Sequence, residues 1–204
     1  MSESLAHTER IALVALFRKL GPTAPTLCAG WRTSDLLAHL VLRERKPVAA
    51  LGILAPSLSA RTERLTLELA HDFEANIRLF ESGPPAWNPM RYLDAVVNGS
   101  EMLIHHEDVL RAQSEWKPRV LPGEGRQEAR RILRGAAQLM TRGVKVKVRP
   151  DPAGALTPAN GEVVIRGDEV DILLRISGRR TNVNVTILGA ANDIQLFENS
   201  RLGI

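Results

Sequence analysis

The sequence predicts a mainly α protein that closes with a small α+β domain, and a change of period along the chain predicts it. Over roughly the first 140 residues, apolar side chains recur at helical spacing. From Val144 the pattern switches to strict alternation in "VKVKV", and alternation returns in "VNVTI" from Val183 to Ile187. The boundary falls near Gly143. Residues 1–142 read as a bundle of four or five helices and residues 143–204 as a β-β-α-β-α domain.

Each element has its own signal. "SESLAHTERIALVALFRKL" is a helix that stops at Gly21-Pro22, and the loop "GPTAPTLCAGW" follows. "SDLLAHLVLRERKPVAA" opens with a capping candidate, Thr33 or Ser34, and an acidic first turn. Residues 61–82 form a third helical pattern ended by "SGPPAWNP"; a fourth spans about 90–113, and "GRQEARRILRGAAQLM" runs to about 141. In the second domain "VKVKV" (144–148) and "EVVIRG" (162–167) read as strands. A helix then starts near Asp168 in "DEVDILLRISG", and the strand "VNVTI" and the helix "ANDIQLFENS" complete it.

Composition excludes several classes. The 204 residues are 44% hydrophobic and 25% charged, ordinary values for a globular chain. No apolar run approaches the roughly 18 residues of a membrane span. The N-terminal "MSESLAHTER" is polar with two glutamates, unlike a signal peptide, and one cysteine, Cys28, rules out an internal disulfide. A cytoplasmic location is the simplest expectation. The net charge of +4 is uneven: residues 117–149 hold ten Lys and Arg against two Glu. No nucleic-acid module accompanies that run, so a solvated helix face and a lysine-protected edge strand are preferred over nucleic-acid binding. Oligomeric state is left open between monomer and homodimer.

The fourth helix carries the chemistry. In "DAVVNGSEMLIHHEDVL" the residues Asp94, Asn98, Glu101, His105 and Asp108 follow at spacings of four, three, four and three. At roughly 100° per residue they share an arc of about 80°. Apolar Val97, Ile104, Met102 and Val109 flank this stripe, which is not the pattern of a solvated face. The second helix repeats the device with Asp35, His39 and Arg43 between Leu36 and Leu42. Burying two such seams unpaired costs several kcal/mol, and a bound cation satisfies them.

Glu101 and His105, one turn apart, suit one ion, and His39 supplies a third ligand from a facing helix. Two His and one Glu leave a tetrahedral zinc one position short, which points to chemistry or ligand capture; nickel or iron fit the same donors. His106 points about 100° away from His105 and is left out. His7 and His71 read as ordinary core or surface residues. Cys28 is either a small buried apolar residue or a fourth ligand, the first being preferred. Asp35 and Asp108 are expected behind the ligands, orienting the imidazoles through the nitrogen that does not face the metal.

"LCAGWRTSDLLAHLVLRERKP", "GPPAWNP" and "EMLIHHEDVLRA" resemble the mycothiol-dependent maleylpyruvate isomerase family, and most of all a metal-binding branch of it marked by H-H-E-D. "GDEVDILLRISGRR" and "SRLGI" are similar to that family's small second domain. The resemblance implies a DinB-like bundle and a metal triad at His39, Glu101 and His105, usually binding zinc. It also implies an open position for the thiol of mycothiol. A catalytic contribution from a second-domain arginine would fall to Arg179 or Arg180, which would bind substrate carboxylates.

The leading expectation is therefore a divalent-metal-dependent enzyme that uses a small thiol on an electrophilic substrate, as an isomerase or an S-transferase. The alternative is a metal-containing protein that binds a thiol or a small acid without turnover.

Overall fold

The computed structural model describes residues 4–45, 70–88 and 95–203. Among them are seven helices: α1 (Leu5–Leu20), α2 (Thr33–Arg45), α3 (Phe73–Glu81), α4 (Ala95–Leu110), α5 (Gly123–Met140), α6 (Glu169–Ile176) and α7 (Ala191–Glu198). Three strands, β1 (Lys147–Asp151), β2 (Glu162–Gly167) and β3 (Val185–Leu188), form one sheet. The protein is thus mainly α with a small α+β part. None of the described helices is long and apolar enough to cross a membrane. The chain divides into two compact units, Met1–Asp94 with His105–Pro118, and Ala95–Ile104 with Arg119–Ile204, so that residues of α4 belong to each.

In the first unit α1 begins where the Ser4 side chain accepts the His7 N–H at 3.3 Å. It ends at Gly21, whose φ of 73° lies in the left-handed region that glycine adopts without strain. Leu5, Glu9, Leu13, Val14 and Phe17 make its buried face. α3 packs against both α1 and α2, with Phe17 edge-on to Phe73 and Phe80 at centroid distances of 6.2 and 6.4 Å. Fully burying a phenylalanine contributes about 1.5–3 kcal/mol, so this trio anchors the packing. Arg10 stacks over Phe80 at 4.4 Å and pairs with the buried Glu44. The loop between α1 and α2 is joined to α4: the Leu27 N–H donates to the Asp108 carbonyl at 2.9 Å, one of the last-turn carbonyls that a helix cannot satisfy internally.

In the second unit α5 buries Ala129, Ile132, Leu133, Ala136, Ala137 and Met140, a stripe of alternating three- and one-residue steps. A Cβ on Gly99 would lie 2.4 Å from the Ile132 side chain, so α4 approaches α5 at a residue with no side chain. β2 is central, parallel to β1 and antiparallel to β3. Its run Val163, Val164 and Ile165 is wholly buried, as expected of a strand covered on both faces. α6 is capped by Asp168, which accepts the Val170 N–H at 3.0 Å, and it packs on α5.

Parallel neighbours usually need a helical crossover, yet β1 and β2 are joined by residues 152–161, which contain no helix. Asp151 makes that turn possible. Its Oδ1 accepts the Ala155 N–H at 3.0 Å, and its Oδ2 accepts the Leu156 N–H at 3.0 Å and the Arg166 Nε at 3.2 Å. Burial opposes the charge on Asp151, but these donors outweigh it and hold the carboxyl below the usual range.

Several expected bounds shift. β1 starts at Lys147 rather than Val144, because its pairing begins where Lys147 meets Glu162. Glu162 fixes that register by accepting Lys147 Nζ at 2.8 Å and Arg149 Nη1 at 2.9 Å. β3 starts at Val185 rather than Val183, after Asn182 turns through a φ of 56°. The expected third helix appears at Phe73–Glu81; its first part, residues 61–69, lies outside the described residues, as does Asp94 of the polar stripe. Cations of the basic run with partners in this unit include Lys147 and Arg149 on Glu162, Arg130 on Glu169, and Arg126 on Asp168 and Glu169.

Candidate metal centre

The C-terminal half of α4 is unusual for its burial. His105, His106, Glu107 and Asp108 are consecutive, and all are at most 8% exposed. Four successive helical residues point in different directions: His105 and Asp108, one turn apart, meet each other, while His106 and Glu107 turn to other partners.

His105 Nδ1 lies 2.9 Å from Asp108 Oδ2, one turn along the same helix. With its N–H on Nδ1 the imidazole donates to the carboxylate and keeps the Nε2 lone pair for a ligand. The His105 ring meets the His39 ring edge-on at 5.7 Å, and Trp31 leans on His39 at 5.1 Å. Glu101 precedes His105 by one turn of α4. His39, Glu101 and His105 each present one ligand atom, and these atoms lie within 4.8 Å of one another. Two imidazole nitrogens and one carboxylate oxygen so spaced fit a borderline divalent cation.

Other residues go elsewhere. His106 Nδ1 meets the buried Glu9 Oε2 of α1 at 2.6 Å. Glu107 pairs with Arg111 at 2.5 Å, and Arg111 stacks over Trp116 at 5.0 Å. Asp35 Oδ2 accepts the Arg32 N–H at 2.9 Å, a helix-capping bond at the start of α2. His7 and His71 are exposed. Arg179 Nη1 donates to the Ser177 carbonyl at 2.9 Å, and the exposed Arg180 pairs with Glu198 at 3.1 Å.

Two features escaped the sequence reading. The Cys28 Sγ lies 3.3 Å from Asp108 Oδ2, and Cys28, His105 and Asp108 form a second group whose ligand atoms lie within 4.8 Å of one another. Loop and helix are 80 residues apart here, so no periodicity signals the contact. Arg175 is a buried cation on α6, held by Glu198 at 2.6 Å and stacked over Phe197 at 4.7 Å. A single arginine in the apolar run "VDILLRIS" gives no sign of that burial.

No family model and no curated protein matches the sequence. Among solved structures, the crystal structure of the mycothiol-dependent maleylpyruvate isomerase is similar to this chain. The two are 17% identical over 90% of each chain, with a TM-score of 0.53. At that identity the likeness establishes a shared fold, which extends through both the helical and the α+β parts.

Proposed function

We propose that this protein is a divalent-metal-dependent enzyme that uses a small thiol, mycothiol or a close relative, on a small electrophilic substrate. The observation that carries the reading is the donor set of His39, Glu101 and His105, present in a chain with the fold of a mycothiol-dependent isomerase. The triad would hold zinc, or nickel or iron. A divalent cation with a vacant coordination position supplies the charge that keeps a ligand thiol deprotonated near neutral pH. The chain's own residues prepare for this. Asp108, fully buried, holds the His105 ring in one orientation and one tautomer. Trp31 packs against the His39 ring and helps to fix its position. Isomerisation and S-transfer both begin with a thiolate at such a position, and the choice between them belongs to the substrate.

The test is the metal content of purified protein. About one divalent ion per chain is expected, lost in His39→Ala and in His105→Ala and kept in His106→Ala. Equal content in all three variants removes the triad. Thiol titrations then separate the roles: affinity should rise toward the thiol's own pKa, near about 8.5 for a cysteine-like group, and only with metal loaded. Affinity that is flat with pH, or equal without metal, ends the thiolate reading and leaves the metal site standing.

A further inference from the structure

We infer that Cys28 is a positioning residue for this centre, acting through Asp108 and not as a ligand. The inference rests on the metal reading above. Asp108 Oδ2 receives two donors, His105 Nδ1 at 2.9 Å and the Cys28 thiol at 3.3 Å. Asp108 is fully buried, so its orientation depends on the groups around it rather than on water. The carboxylate orients the imidazole, so any turn about its χ angles would carry the ring with it. A second donor at the same oxygen restricts that rotation.

The loop is built to hold Cys28 in place. Its N–H donates to Thr26 Oγ1 at 3.2 Å, and its carbonyl accepts the Trp31 N–H at 2.9 Å. The preceding residue, Leu27, is tied to the Asp108 carbonyl at 2.9 Å. Consecutive loop residues thus grip one aspartate by its backbone and by its side chain. The same hairpin of bonds places Trp31, whose carbonyl accepts Thr26 Oγ1 at 2.9 Å, against His39. Direct ligation by sulfur would require a metal to enter between groups already bonded to one another. A thiol is a weak donor, so its influence is expected to be smaller than that of the carboxylate it supports.

The experiment uses cobalt(II) as probe, following its visible absorption in wild type, Cys28→Ala, Cys28→Ser, Asp108→Asn and the Cys28→Ala/Asp108→Asn double variant. Asp108→Asn should weaken cobalt binding by about 10–100-fold, and Cys28→Ala by about 3–10-fold. Cys28→Ser, which keeps a donor, should restore most of the affinity. In the Asp108→Asn background the alanine should add little, because the thiol acts through that carboxylate. Unchanged affinity in Cys28→Ala overturns the inference, as does the same loss in both backgrounds. A sulfur-to-cobalt charge-transfer band that vanishes in Cys28→Ala also overturns it, by making the thiol a ligand. If Cys28→Ala fails to fold by circular dichroism, Cys28→Val, which fills the space of the thiol and has no donor, takes its place in the same comparison. Absence of cobalt binding by wild type is a separate result: it ends the metal reading, and this inference with it.

Discussion

Asp108 and Asp151 are both sealed from solvent, at 0% and 2% exposure, yet they are held in different ways. Asp151 accepts two backbone amides and a guanidinium, donors that stay protonated at any physiological pH. Asp108 accepts an imidazole and a thiol, groups that can exchange protons or bind metals. One arrangement makes a turn permanent. The other holds a histidine in a set orientation while leaving its second nitrogen available. A buried carboxylate is therefore a structural device or a candidate functional one according to its partners, and burial alone does not distinguish them.

Substitutions at the two aspartates test the contrast directly. The largest effect should follow Asp108→Asn, with metal affinity falling about 10–100-fold while the melting temperature changes little; a collapse of stability with metal affinity intact would place Asp108 beside Asp151. Asp151→Asn should do the reverse, lowering Tm by several degrees because an amide NH₂ faces donors that need an acceptor, with metal content unchanged.

A subtler effect concerns acid. Hydrogen bonds from Lys147 and Arg149 hold Glu162 at about 2, against an ordinary 4.5. The unfolded chain binds that proton more readily, so the contribution of Glu162 is complete above about 4.5 and is lost as pH falls through about 2. Glu162→Gln should flatten the acid limb of a stability curve in that window, and an unchanged limb would assign acid sensitivity to other carboxylates. The smallest effect is expected at the exposed Arg18–Glu81 pair, 2.7 Å apart with both side chains about half exposed. Arg18→Ala should leave Tm unchanged within error.

The legible parts of the molecule were those with a period or a punctuation mark. β2 was readable to the residue because "VVI" is a continuous β-branched run and Gly167 follows it closely. Asp168 announced α6 as a cap. β1 and β3 were displaced because alternation in "VKVKV" and "VNVTI" continues beyond the residues that pair, and pairing is set by a partner strand. Glu101 and His105 follow from a four-residue spacing, and His39 from a second polar seam; the structure brings one ligand atom of each within 4.8 Å. Cys28 was readable only as a lone cysteine, since its contact with Asp108 is made by a loop. The bonds of Arg179 and Arg180 to Ser177 and Glu198 depend on the turn after α6, which carries no periodic signal.

Pro150 has a consequence for self-association. In a parallel pair alternate residues of a strand turn their N–H groups toward the neighbour, and Lys147 turns its own toward β2, donating to the Gly161 carbonyl. Arg149 and Asp151 follow it inward, leaving Val148 and Pro150 to face outward from this outer strand. Proline has no N–H. A five-residue edge therefore offers a visiting strand a single amide hydrogen, beside a lysine whose side chain is 69% exposed. Too little of a ladder is available there for copies of the chain to zip together edge to edge, even at the concentrations of a crowded cell.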